Sequence, residues 1–217
     1  MHGQRRRLQF PAPGGISHLA ACSLPAGVTT LTVSNQSGTT EATAASGGGQ
    51  IRVVQRPAGQ PAACRKTACS AAAIGASCPG GVHLGGCHMD DQIQLPPGTA
   101  LTVAGDAGRV ILRGGLTRAR VTTGADQVSG TGLGRGSFTV ATRAGEADLA
   151  FAAAAARVTV TTDAGAIDVT VPGGASCKAT TTSAAVGGKD VTVPSDANAA
   201  NVIDLHADVG HISLHQS

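Results

Sequence analysis

The strongest constraint in this sequence is a unit of strand, tight turn and strand that recurs along its C-terminal half. LTVAGDAGRVILRG (101–114), FTVATRAGEADLAF (138–151), VTVTTDAGAIDVTV (158–171) and IDLHADVGHISLHQ (203–216) follow one pattern. ARVTTGADQVSGTG (119–132) and KATTTSAAVGGKDVTV (178–193) are degenerate copies of it. The turn glycines Gly108, Gly145, Gly165, Gly188 and Gly210 are 37, 20, 23 and 22 residues apart, the first gap spanning one degenerate copy, so the period is about 20. Within a copy, apolar residues alternate with Thr and Asp, and the phase changes at the turn. Val158 and Val160 lead into Asp163-Ala164-Gly165, and Ile167, Val169 and Val171 lead out. Such alternation marks a half-buried strand on each side, and glycine supplies the backbone conformation the turn needs.

One copy cannot bury its apolar face alone, so copies must stack. The expected fold is all-β: a β-solenoid or β-helix-like stack of strand-turn-strand repeats of about 20 residues, with a β-sandwich as the alternative. Three segments reading apolar-Pro-x-Gly, at Leu24–Gly27, Leu95–Gly98 and Val171–Gly174, each end one strand and turn the chain. Ala152 to Ala156 is the only helix-like run, and it is too short to nucleate a helix. The chain reads as one continuous β domain with three parts. Residues 1–23 form a basic segment and a first strand, 24–90 an irregular β region with a Cys-rich loop at 56–88, and 91–217 the repeat region.

Composition narrows the core and the partners. Alanine and valine dominate the apolar residues, with three Phe and no Trp or Tyr, so the core must be built from small side chains in close layers. Seven of the 16 Lys and Arg lie before residue 90 with one acid, Glu41, which leaves nine bases against twelve acids from residue 90 onward. The run Arg5-Arg6-Arg7 has no interleaved aromatic for base stacking, so no nucleic-acid partner is expected. The expected partner is an unknown protein or surface, with no transmembrane segment, since no stretch reaches the 18 or so apolar residues of a membrane span. Leu19-Ala20-Ala21-Cys22 looks like the cleavage site of a bacterial lipoprotein. The preceding LQFPAPGGISH, with two prolines and two glycines, does not make the apolar run of a signal peptide. As written the chain reads as cytoplasmic, or as exported if a leader lies upstream.

No catalytic, cofactor or metal residue is expected. Cys64, Cys69, Cys78 and Cys87, with His83 and His88, raise a metal-binding alternative, but no C-x2-C pair offers two thiolates from one turn. In CPGGVHLGGCH (78–88) the glycines let the loop return on itself, so Cys78 and Cys87 can form a disulfide in an oxidising compartment. The glycine runs at 130–136 and 187–190 lack the context of a phosphate loop. In the C-terminal copy Asp204, His206 and Asp208 share one outward strand face, and His211, Ser213 and His215 the next, which reads as solvated surface. Acids near the repeat turns, Asp126, Glu146, Asp148 and Asp168, leave a carbohydrate-active β-helix enzyme as the alternative function. The lack of Trp and Tyr platforms counts against it.

The chained turns DAGRVIL, RAGEADL, DAGAIDV and DVGHISL, together with LPAGVTTLTV and LPPGTALTV, resemble the bacterial β-strand-repeat proteins known as putative adhesins, over residues 24 to 217. The resemblance implies a β-solenoid-like body and a non-enzymatic interaction scaffold of unknown ligand, and it supplies no catalytic residue to carry over.

The cysteine loop gives a first prediction. Oxidised protein from an exported source should yield one cross-linked peptide holding Cys78 and Cys87, and Cys78→Ser should cost about 2 to 3 kcal/mol. Cytosolic protein should carry both as free thiols without metal. Peptide mapping and metal analysis decide this. Stoichiometric zinc lost in both Cys78→Ser and His83→Ala would assign the loop to a metal instead.

Overall fold

The computed structural model describes residues 20–47, 49–59, 65–66, 72–77 and 87–217. All regular structure among them is β, and the Ala152–Ala156 run forms a bend between strands. The strands are β1 (Ala20–Ser23), β2 (Thr30–Ala44), β3 (Arg52–Gly59), β4 (Arg65–Lys66), β5 (Ala73–Ser77), β6 (Cys87–Leu95), β7 (Ala100–Arg113) and β8 (Arg118–Leu133). They continue with β9 (Ser137–Ala144), β10 (Ala147–Phe151), β11 (Arg157–Ala164), β12 (Ile167–Val171), β13 (Lys178–Val186), β14 (Lys189–Val191), β15 (Val202–Val209) and β16 (Ile212–Gln216).

The two strands of a repeat do not pair with each other. β9 pairs in parallel with β8 and β11, and β10 pairs in parallel with β8 and β12. Each copy is therefore a bent layer, and its two halves extend two arms of one open sheet. In the first arm β11 joins β9 to β15, and β13 lies beyond β15; in the second β12 joins β10 to β16, and β14 lies beyond β16. The long strands β2, β7 and β8 run through the bend and belong to both arms, pairing with each other over almost their whole length.

The apolar alternation sets the core between the arms. Phe138, Val140, Val158, Val160, Ile203 and Leu205 face inward from the first arm, and Ala147, Leu149, Ile167, Val169, Ile212 and Leu214 from the second. Phe138 and Phe151 meet across it edge to face, ring centroids 5.1 Å apart. Full burial of one such Val or Leu is worth about 1.5 to 3 kcal/mol, so a pile of short apolar rows can offset the ordering of the layers.

The bend sets the layer spacing. A Cβ at Gly38 would collide with the backbone of Met89, one at Gly108 with Gly38, one at Gly145 with Asp126, and one at Gly165 with Gly145. The column continues from Gly165 to Gly210 and from Gly210 to Gly187. Gly108, Gly165, Gly210 and Gly187 have φ of 150°, 151°, 149° and 147°. In the last layer Gly187 holds this rung, and its neighbour Gly188 faces His211. The degenerate layer β8 has Asp126 in the column, opposite Gly108, and the close backbone approach moves to Gly124, which faces the carbonyl of Asp106.

Layer order departs from chain order at both ends. β2 lies between β6 and β7, and the layer of β15 and β16 lies between that of β11 and β12 and that of β13 and β14. Burial explains the second inversion. Ile203, Leu205, Ala207, Ile212 and Leu214 give one copy a complete apolar face, whereas KATTTSAAV offers little, and its Val186 is 65% exposed. The weaker copy therefore takes the outside. Its free edge is covered locally: Ala179 donates to Ser195 Oγ at 3.3 Å, Asp196 N donates to the Cys177 carbonyl at 3.0 Å, and Lys189 Nζ donates to the Thr181 carbonyl at 3.5 Å. Blocked donors and acceptors, with a lysine on the edge, discourage pairing with another chain. The opposite end closes with antiparallel strands, β3 on β6 and β1 on β3.

The column predicts an ordering of glycine substitutions. Gly165→Ala should cost more than about 3 kcal/mol, because its Cβ has no room against the Gly145 carbonyl and its φ is unfavourable. Gly98→Ala, with φ of 83° and open space around the new methyl, should cost only about 1 kcal/mol. Urea unfolding of both variants measures the difference, and equal costs would refute close approach as the constraint.

Candidate functional site

At the bend the inward rows turn polar. Asn35, Gly105, Thr123, Thr142, Thr162 and Ala207 share one rung of the first arm. Thr142 Oγ1 donates to Thr162 Oγ1 at 3.0 Å, so this step is satisfied within the rung. Asn35 Nδ2 donates to the Met89 carbonyl at 2.7 Å and to Asp91 Oδ2 at 3.1 Å, and Gln55 Nε2 donates to Asp91 Oδ1 at 2.9 Å. Burial pushes the Asp91 carboxyl up to about 6, helped by nearby Asp90 and opposed by the Gln55 and Asn35 hydrogen bonds. Beside Gly105, Asp126 Oδ1 and Thr123 Oγ1 are buried without a hydrogen-bond partner. Burial also raises the Asp126 carboxyl, against a hydrogen bond from the Gly108 backbone. The absent side chain at Gly105 leaves the space that Asp126 Oδ2 occupies.

Above this rung, on the outside of the first arm, lies a groove of about 580 Å³. Its floor is shallow because the strands present small residues there: Ala104, Gly105, Gly124 and Ala141. Asp106, Arg143 and Asp163 supply its charges, and Ser34, Thr122 and Thr161 its hydroxyls. Such a surface can hydrogen-bond and ion-pair with a polar ligand laid across the strands. Neither His nor Cys lines it.

The other residues singled out from the sequence are dispersed by the topology. His206 and Asp208 pair at 2.8 Å on the outside of the first arm. His215 lies on the second arm, 2.9 Å from Thr170 Oγ1 and 3.6 Å from Asp168. The two imidazole rows of the C-terminal copy thus lie on different arms. Asp148, Asp168 and Asp190 form one outward row with Ser213, and burial, then Asp168, raises the Asp148 carboxyl. Among the described residues no group of three or more His, Cys, Asp or Glu is placed to hold a metal ion. Cys78 lies outside the described residues, as does the side chain of Cys87, so the proposed bridge is not among the contacts described. Cys22, the cysteine of the lipoprotein-like tetrapeptide, is disulfide-bonded. Cys177 is a buried free thiol, and burial pushes its ionisation up. The groove was not foreseen, because its residues are ordinary strand positions in five separate strands. Only the alternation of small residues with Thr hinted at a shallow face.

No family model matches the chain, and no curated protein matches it. Solved structures do. A protein described as a putative cell adhesion protein from Clostridium sporogenes matches with a TM-score of 0.52 at 12% identity, over 93% of this chain and 100% of its own. A putative adhesin from Bacteroides fragilis matches with a TM-score of 0.44 at 12% identity, over 94% of this chain and 99% of its own.

Asp91 gives a pH prediction. Its folded pKa of about 6 lies above the ordinary 3.8, so its contribution to stability is complete below about pH 4 and is lost as pH rises through 6. The loss is about 3 kcal/mol. In Asp91→Asn, Gln55 can turn its amide and accept from the new side-chain amide, while Asn35 keeps its bonds. The variant should therefore lose much less melting temperature than the wild type between pH 4 and 7. Parallel pH profiles would assign the dependence elsewhere. The chain has the fold of the Clostridium sporogenes protein, a putative cell adhesion protein, and its repeat turns resemble the bacterial putative adhesins.

Proposed function

We propose that the protein is a non-enzymatic interaction scaffold, a solenoid of coils of about 20 residues whose outer faces bind a partner at a surface. The observation that carries this reading is the groove on the first arm. It is broad and shallow, crosses five strands, and its ionisable lining is Asp106, Arg143 and Asp163, with no histidine or cysteine to act as base or nucleophile. A stack fixed by backbone contact at each bend holds such a face rigid, and rigidity lowers the cost of binding. The Clostridium sporogenes protein of the same fold is described as a putative cell adhesion protein, which supports an adhesive role. A disulfide at Cys22 fits an exported protein.

Ala141→Trp fills the groove from an outward position without entering the core. Beads coated with the variant should adhere to bacterial and animal cells at less than about a third of the wild-type level, with stability changed by no more than about 1 kcal/mol. Equal adhesion would remove the groove from the function. New reducing ends released from a polysaccharide panel, and abolished by Asp163→Asn, would show an enzyme instead.

A further inference from the structure

We propose that Arg118, Arg157 and Lys178 form a binding row for a linear anionic polysaccharide on the outer face of the first arm. The inference rests on the scaffold reading above and names the class of its ligand. The three cations are far apart in sequence, and register brings them together. Arg118 is opposite Ser137, Ser137 opposite Arg157, Arg157 opposite Val202 and Val202 opposite Lys178. Consecutive cations are thus two strands apart, or about 10 Å. All three are exposed and point outward, because Ala119, Val158 and Ala179, the next residues in their strands, face the core. None makes an ion pair among the described residues. Arg120, one row closer to the bend, adds a fourth exposed charge, and Thr139, Thr159 and Thr180 in its row offer hydroxyls.

An evenly spaced cation row across a rigid sheet suits a stiff polymer with equally spaced anions. Two strand spacings match one carboxylate per disaccharide in a polymer of alternating uronic acid and neutral sugar. Nucleic acid fits less well. Its phosphates are closer together, and single strands rely on aromatic stacking, whereas Phe138 and Phe151 are buried against each other. A neutral polysaccharide would leave the charges without use. Asp204 lies in the Arg120 row, between the layers of Arg157 and Lys178. It should weaken binding.

The test uses the full chain and a hyaluronan decasaccharide, with calorimetry or interferometry at low and physiological salt. The wild type should bind, and more weakly as salt rises. Arg118→Gln/Arg157→Gln/Lys178→Gln should lose affinity about tenfold, and Asp204→Asn should gain. A control with equal charge loss elsewhere, Arg52→Gln/Arg56→Gln/Arg109→Gln, should change less than twofold. The proposal fails if the wild type does not bind at low salt, or if the control loses as much as the row variant. It also fails if Asp204→Asn does not gain, or if an oligothymidylate of equal charge binds as tightly through the same three residues. If the row variant still adheres to cells while Ala141→Trp does not, the scaffold reading stands and the polysaccharide row is wrong.

Discussion

At the bend of most layers the backbone of one copy lies against a carbonyl of its neighbour, with no room for a side chain between them. The column through Gly38, Gly108, Gly145, Gly165, Gly210 and Gly187 is the constraint on which the other features depend. It brings the layers together where the chain changes direction, and it forces the phase change that lets apolar residues of both halves face one core. The effect is steric. A column that admits a side chain only at Asp126 leaves few alternative registers, and register decides which side chains become neighbours.

The same geometry produces the polar features. Inward positions next to the bend are too close to the turning backbone for large apolar side chains, and they carry Asn35, Thr123, Thr142 and Thr162. Where the partners are complete, as in Thr142 with Thr162, the row is satisfied. At the two irregular layers a carboxylate enters instead, Asp91 in β6 and Asp126 in β8, and burial raises both. These acids lower stability at neutral pH. Outside, the small residues beside these rows make a shallow groove, and two outward rows further from the bend the exposed charges stand at intervals fixed by strand spacing. Binding surface and core are two sides of one register.

Much of this is legible in the sequence because strands report burial directly. The alternation in VTVTTDAGAIDVTV assigns Val158, Val160, Ile167 and Val169 to the core, and the structure buries them all. The glycine at each turn signals a bend, though in the degenerate copy at 178–193 the spacing points to Gly188, whereas packing puts its neighbour Gly187 in the column. By local preference Gly38 resembles a strand break. It is a bend inside the continuous β2. The polar groove could not be read, since nothing in Ala104 or Ala141 alone distinguishes a groove floor from any outward alanine.

In the sequence by itself, most strands, their inward faces and most bends can be read from local backbone preference and from the period of apolar residues. Tertiary structure alone decided the order of the layers. Parallel layers present similar edges, so local pattern does not choose between neighbours. The choice falls to total burial and edge protection, which place the apolar C-terminal copy inside and the threonine-rich β13 at the rim. That order, and not proximity in the chain, brings Arg118, Arg157 and Lys178 into one row.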